Sequence, residues 1–388
     1  MNPTSPLPAF IAILLAVTTA YLLAKRFGSP PPPGRYGSID GLRGYLALGV
    51  FLYHSCVWGY YSHTGKWGYP PSRFYVQLGD CGIALFFMIT GFLFFSKILD
   101  GRTKPIDWLR LYVSRFLRLT PLYLFVVVLL FIVVIFLSHG VLRAPLVKTL
   151  RGAACWLAFT IPGEPDLNGV KNTSIIMAGV TWTLLYEWLF YALLPVLALM
   201  VRAGVSRWWL LVPIATIVVA VFMPPQFILL APFLSGMLAA GLVRWPAFRT
   251  VATGKVAAVC ALASVVCVVV GLREAFEPAA LLLLSLGFIL IACGNSLFGL
   301  LTTASSRLLG EMAYSLYLLH GMILFVLFNF VIGLDRAKTL SPTAYWLVIL
   351  GLTPLMVLIC FTTFRRIEHP AMQKVGKVTA WLRARGSL

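Results

Sequence analysis

The sequence predicts an all-α, polytopic membrane helix bundle with about 11 transmembrane helices, and three observations carry that expectation. Of its 388 residues, 60% are hydrophobic and only 11% charged, whereas a water-soluble domain carries about a quarter charged residues. Mean hydropathy is +0.92. The apolar residues gather into runs approaching the ~20 residues of a transmembrane helix, separated by turns in which lysine and arginine concentrate. The formal net charge of +19 is scattered among those turns and forms no single patch. Membrane topology explains it better than nucleic acid does, so membrane lipid is an expected partner and nucleic acid is not. The seven cysteines show no C-x-x-C spacing, so neither a metal site nor a disulfide framework is expected. Cys56 and Cys81 both fall near the expected outer surface and are read as buried thiols.

Residues 8 to 24 are apolar and are followed by Lys25 and Arg26. A signal peptide carries its positive charge before the apolar run, so this segment is read as a first transmembrane helix with the amino terminus outside. Pro30 to Pro33 form a stiff linker, which closes a first segment at residues 1–35. Further apolar runs lie at about 44–60, 82–99, 121–138, 182–200, 208–223, 226–243, 256–272, 278–294, 312–332 and 343–363. Alternating them across a bilayer places 22 of the 31 Lys and Arg inside, which supports an outside amino terminus and a cytoplasmic carboxyl terminus. Arg151 to Pro162 is too short to span and is read as a re-entrant or interfacial piece, buried in protein or lining a cavity. Residues 371–388 form a basic cytoplasmic tail, with no soluble domain expected after it.

The chemistry concentrates in four stretches. Ser38 to Tyr61 places Asp40, Arg43 and His54 on one otherwise apolar helix. Eleven residues separate Arg43 from His54. At 100° and 1.5 Å per residue, that puts both on one face, within about 20° and roughly 16 Å apart along the axis. With Arg43 at a membrane surface, His54 lies inside the membrane. Asp40 is too far along the helix to touch His54, and Asp40 with Arg43 also fits a simple structural ion pair. In the second stretch, GRTKPIDWLRLYVSRFLRLTPLY, Arg115 and Arg118 stand three residues apart on one helix face. That suits an amphipathic segment on anionic lipid or a phosphate site, with Pro121 expected to start the next helix. The third stretch, TWTLLYEWLFYALLP, holds Glu187 one turn inside an apolar run. A carboxylate there needs a partner or water, and it fits either a structural bond or a role in acceptor binding or in orienting His54. The fourth, LLGEMAYSLYLLHGMIL, repeats Tyr314, Tyr317 and His320 at three-residue spacing, a pattern that packing alone also explains.

Taken together, these stretches resemble the acyltransferase-3 family of integral membrane acyltransferases, which includes O-antigen and exopolysaccharide acetylases. The resemblance covers about residues 36–370, a ten-helix acyltransferase core preceded by one extra helix. It rests on S-I-D-G-L-R-G with His54 downstream, G-I-A-L-F-F-M-I-T-G-F-L, R-F-L-R-L-T-P-L-Y, W-T-L-L-Y-E-W-L-F-Y from Trp182 through Tyr191, Y-S-L-Y-L-L-H, and the terminal Glu368 and Pro370, all in order. It implies a bacterial inner-membrane enzyme that moves an acyl group, acetyl above all, from acyl-coenzyme A to a hydroxyl of a glycan, a lipid-linked glycan or another envelope or secondary-metabolite acceptor. Acyl-coenzyme A is then a co-substrate, and no bound cofactor is implied. His54 resembles the catalytic residue, with Glu187 as its candidate aid. Arg115 and Arg118 resemble the donor-binding cations, Arg43 joins them as a further candidate for the donor's phosphates on chemical grounds, and Asp40, Trp182, Tyr191, Tyr314, Tyr317 and His320 fall in supporting positions. The sequence ends at Leu388 without the fused hydrolase-like domain of some members, so those are the less apt analogues.

The residues are compatible with that chemistry. A neutral imidazole can take the proton of an attacking hydroxyl or carry the acyl group itself. The competing reading is a secondary transporter or flippase, which also has many helices, polar groups at mid-membrane and basic inner loops. No internal repeat supports it, and it predicts substrate flux without thioester consumption.

Overall fold

The computed structural model describes residues 4–30, 32, 34–201 and 227–385. In chain order its α-helices are α1 (Leu7–Phe27), α2 (Gly37–Thr64), α3 (Arg73–Asp100), α4 (Trp108–Leu137), α5 (Leu146–Leu157), α6 (Trp182–Met200), α7 (Ala231–Leu242), α8 (Pro246–Ala252), α9 (Lys255–Gly271), α10 (Pro278–Ala292), α11 (Ala304–Glu311), α12 (Ala313–Val326), α13 (Leu334–Thr339), α14 (Pro342–Thr363), α15 (His369–Gln373) and α16 (Val375–Arg385). Ten of the eleven expected apolar runs fall on described residues, and each lies on helix to within a few residues. The run at 208–223 lies outside the described residues. Among the described residues, six helical stretches are long and apolar enough to cross a membrane. They become seven if α7 and α8, which meet at 111°, belong to one broken span, and α9 and α10 are shorter apolar helices.

The chain forms two compact units, Met1–Lys97 with Pro225–Leu358, and Ile98–Pro224 with Ile359–Leu388. In the first, α2 is the central element, with nineteen of its 28 residues buried. It is not among the six apolar stretches because serine, histidine, glycine and tyrosine dilute its hydropathy, and packing inside protein takes the place of contact with lipid. Cys56 and Cys81 are both free and buried, as the sequence leads one to expect.

The crossing of α2 with α11 sets the position of everything that follows α11. Thr303 caps α11 by accepting the Ser306 N–H at 3.2 Å, and Tyr45 of α2 reaches the Ser306 hydroxyl at 2.9 Å. Two glycines let the backbones meet. A Cβ at Gly44 would stand 2.5 Å from the Leu309 Cβ, and one at Gly310 would overlap the Asp40 carbonyl oxygen. Because α12 begins two residues after α11 ends, this approach brings α12 alongside α2. Gly310→Val is therefore expected to destabilise the protein by at least the ~1–3 kcal/mol of an overpacked core. A fall in the thermal unfolding midpoint of the detergent-purified variant, followed by tryptophan fluorescence, checks this; an unchanged midpoint refutes the close crossing.

In the second unit the structure corrects one expectation. Pro121 does not start a helix but lies inside α4, a single helix of 30 residues. The start signal is Asp107, whose carboxylate accepts the Arg110 N–H at 3.0 Å and pairs with Arg383 at 2.6 Å. That cap satisfies an otherwise orphaned donor, while the one backbone bond lost at a proline is tolerated in membrane helices. The segment expected to be too short to span, Arg151 to Pro162, begins inside α5, a helix of twelve residues or about 18 Å against a hydrocarbon core of ~30 Å. Its end is held by protein. Tyr123 donates to the Trp156 carbonyl at 2.6 Å, the Trp156 indole donates to Pro165 at 2.9 Å, and Phe159 stacks on Tyr123 at 4.3 Å.

Candidate active site

Two groups of the residues singled out by sequence come together, one in each unit. In the first unit His54 of α2 meets His320 of α12. Both rings are buried, His54 at 7% exposure and His320 at 0%, with centroids 4.9 Å apart. His54 Nδ1 lies 3.0 Å from the Val50 carbonyl and 2.9 Å from His320 Nε2, and His320 Nδ1 lies 3.0 Å from the Leu316 carbonyl. A carbonyl only accepts, so each Nδ1 carries its hydrogen. In neutral His320 the lone pair is then on Nε2, pointed at His54. In neutral His54, Nδ1–H is the donor and the basic lone pair is on Nε2. This tautomer assignment satisfies all three contacts with both rings uncharged.

Aromatic side chains surround the pair. Tyr53 meets the His54 ring edge-on at 4.6 Å, and Trp67 lies nearly parallel to it at 6.5 Å. Trp58 and Tyr61 each contact Trp67 edge-on, at 5.4 and 5.5 Å. Tyr317 stands one turn before His320, with ring centroids 6.2 Å apart, and packs on Phe86. Tyr314 is buried on the same helix. Asp40 and Arg43 occupy the first turns of α2, which is continuous from Gly37 to Thr64, so the ~16 Å rise from Arg43 to His54 holds.

In the second unit Arg115 and Arg118 of α4 meet Glu187 and Tyr191 of α6. The Arg115 guanidinium donates to the Tyr191 hydroxyl, which donates to a Glu187 carboxylate oxygen at 3.3 Å. Tyr112 ties the helices together by donating to the Tyr191 carbonyl at 3.0 Å. Arg115, Tyr191 and Glu187 thus form a hydrogen-bonded chain that runs from the guanidinium through the phenol to the carboxylate. Trp182 opens α6 and packs edge-on against Tyr186 at 5.7 Å.

Sequence reasoning passed over Glu164, which lies between α5 and α6 and accepts the Thr181 hydroxyl. Burial raises its carboxyl above the ordinary range, and the Thr181 bond pulls the other way without cancelling the rise. A raised folded-state value means the folded protein holds this proton to higher pH than the unfolded chain. The associated stability is complete below the ordinary carboxyl value of about 4.3 and is lost as pH rises through the folded value. Glu164→Gln is expected to flatten that decline, as read from unfolding midpoints between pH 4.5 and 7; a decline as steep as wild type rules it out.

Ionisable groups paired inside apolar helices define an integral membrane protein of helical type whose buried polar centre is built for chemistry or transport. The choice between these is narrowed by kinship: a family model described as "Acyltransferase domain" (Acyl_transf_3) matches residues 36–365, and the chain belongs to this family. It is also 29% identical over 208 residues to the acyltransferase MdmB of Streptomyces mycarofaciens, a match covering 51% of this chain and 49% of that protein. The chain thus spans about half the length of this curated relative. No solved structure matches it.

Proposed function

We propose that the protein is an O-acyltransferase of the bacterial inner membrane that moves an acetyl group from acetyl-coenzyme A to a hydroxyl of a glycan acceptor, with His54 as general base. The observation that carries this reading is the contact of His54 Nδ1 with the Val50 carbonyl at 3.0 Å and His320 Nε2 at 2.9 Å, from which the hydrogen is assigned to Nδ1 and the lone pair to Nε2. In the reaction His54 Nε2 takes the proton of the acceptor hydroxyl as its oxygen attacks the thioester carbonyl. The tetrahedral intermediate then collapses, the carbon–sulfur bond breaks, and the departing sulfur takes the proton from Nε2. Throughout, Nδ1–H keeps donating to His320 Nε2, so the transient imidazolium is stabilised by a neutral acceptor. The Arg43 end of α2 faces the cytoplasm in this reading, the amino terminus lies outside, and the carboxyl terminus lies inside. Arg43 serves the donor in this reading, and Arg115 and Arg118 are carried as the donor-binding candidates of the second unit, where Arg115 bonds Tyr191.

The test uses purified protein in nanodiscs with acetyl-labelled coenzyme A and an envelope-glycan extract. One mole of thiol released per mole of label in the glycan is expected. If several acyl donors give no thiol, while reconstituted vesicles move a glycan, the chain is a transporter and the reading fails.

A further inference from the structure

The first unit contains a second cationic feature, which topology alone had absorbed in the sequence. Arg35, just before α2, and Arg244, Arg249, Thr250 and Thr253, from the end of α7 through α8 and just beyond it, line one cavity of about 710 Å³. Its described lining also includes Val243 and Pro246 and holds no carboxylate. Arg244 is built into the wall, donating to the Ser96 carbonyl at 2.8 Å, while Arg35 and Arg249 are exposed. Three guanidinium groups around a space without an acid create a field that favours a multiply charged anion, and guanidinium forks match phosphate oxygens in pairs.

Helix α2 serves as a ruler from this cavity to the imidazole pair. Arg43 is about 16 Å from His54 along the axis, and Gly37, at the cavity end, is about 9 Å further back. The pantetheine arm of coenzyme A has roughly thirteen bonds from diphosphate to sulfur, or about 15 Å at the ~1.2 Å per bond of a stretched amide chain. A thioester at His54 therefore brings the diphosphate level with Arg43. The ribose and its 3′-phosphate continue beyond, towards Arg35.

We infer that the cavity formed by Arg35, Arg244 and Arg249 binds the 3′-phosphate of an acyl-coenzyme A donor. This inference rests on the donor assignment above and adds to it a phosphate subsite at the α7–α8 bend. An anionic lipid headgroup offers the same phosphate chemistry, and the two are separated by measurement.

The experiment measures thiol release against donor concentration for acetyl-coenzyme A and for its 3′-dephospho analogue. Wild type, Arg249→Ala and the double variant Arg35→Ala/Arg249→Ala are compared in nanodiscs of zwitterionic lipid and of anionic lipid. Wild type is expected to show a KM about tenfold lower for the phosphorylated donor, the worth of one hydrogen bond to a charged group. The variants lose that preference by raising the KM for acetyl-coenzyme A alone, in both lipids and with kcat kept. Arg244 is left in place because of its bond to Ser96. Variants that keep the wild-type preference overturn the subsite, and so does an equal effect on both donors confined to anionic lipid, which assigns the cavity to a headgroup. A wild type that releases thiol from both donors with equal KM overturns the subsite alone. A wild type that releases no thiol from any acyl-coenzyme A overturns the donor assignment and the subsite with it.

Discussion

Replacing His54 by glutamine lowers acceptor-dependent thiol release by a factor of about 10²–10⁴, the usual worth of a positioned general base, and leaves acetyl-coenzyme A binding within about twofold. Glutamine keeps a group able to donate to the Val50 carbonyl, and that carbonyl, inside continuous α2, also accepts the backbone N–H four residues on, so the helix stays folded. It has no basic lone pair to take the hydroxyl proton. The donor's phosphates sit about 16 Å or more from the substitution, which is why affinity and turnover separate. Equilibrium binding and thiol release on the same preparation check both halves. A glutamine variant with wild-type turnover means that His54 only holds the fold.

The second large effect falls on a residue that touches no substrate. His320→Phe removes the acceptor 2.9 Å from His54 Nδ1 while keeping an aromatic ring among Tyr317 and its neighbours. The imidazolium formed during the reaction then loses a hydrogen bond worth about 1.5–3 kcal/mol for a charged group, so kcat falls by about 10–150-fold. KM for the donor is unchanged. His320→Gln, whose side-chain oxygen can accept from Nδ1–H, restores a good part of the rate. A merely structural role would give the opposite pattern, with both variants lowering the yield of folded protein and neither changing kcat per folded molecule. A folded His320→Phe variant with wild-type kcat removes His320 from the mechanism.

Much of this was legible in the sequence because hydrophobic periodicity and length are local. The apolar runs on described residues found their helices, α6 to the residue, and the residues on which the site is built, His54 and His320 among them, stood out as polar groups in apolar context. Their meeting was not legible. His54 and His320 are 266 residues apart, and what brings them together is the backbone approach at Gly44 and Gly310. In a single sequence that approach is indistinguishable from any other pair of helical glycines. Pro121 misled because proline is a common helix starter, whereas the true start, Asp107, was a quieter capping signal fourteen residues earlier. Glu187 was weighed as an aid to His54. In the structure His54 Nδ1 meets His320, and Glu187 accepts the Tyr191 hydroxyl within the second unit. Arg35, Arg244 and Arg249 were visible only as counts for topology, since the cavity they share depends on the 111° bend between α7 and α8.

The central claim is that His54 moves a proton and does not carry the acyl group. Rapid-quench mixing of the wild-type protein with acetyl-coenzyme A in the absence of acceptor tests it most directly. With His54 as base, no thiol appears in the first turnover until a hydroxyl acceptor is added, because nothing attacks the thioester. A burst of thiol equal to the amount of enzyme, with the label retained on the protein and lost in His54→Gln, would contradict the mechanism and make His54 the acyl carrier.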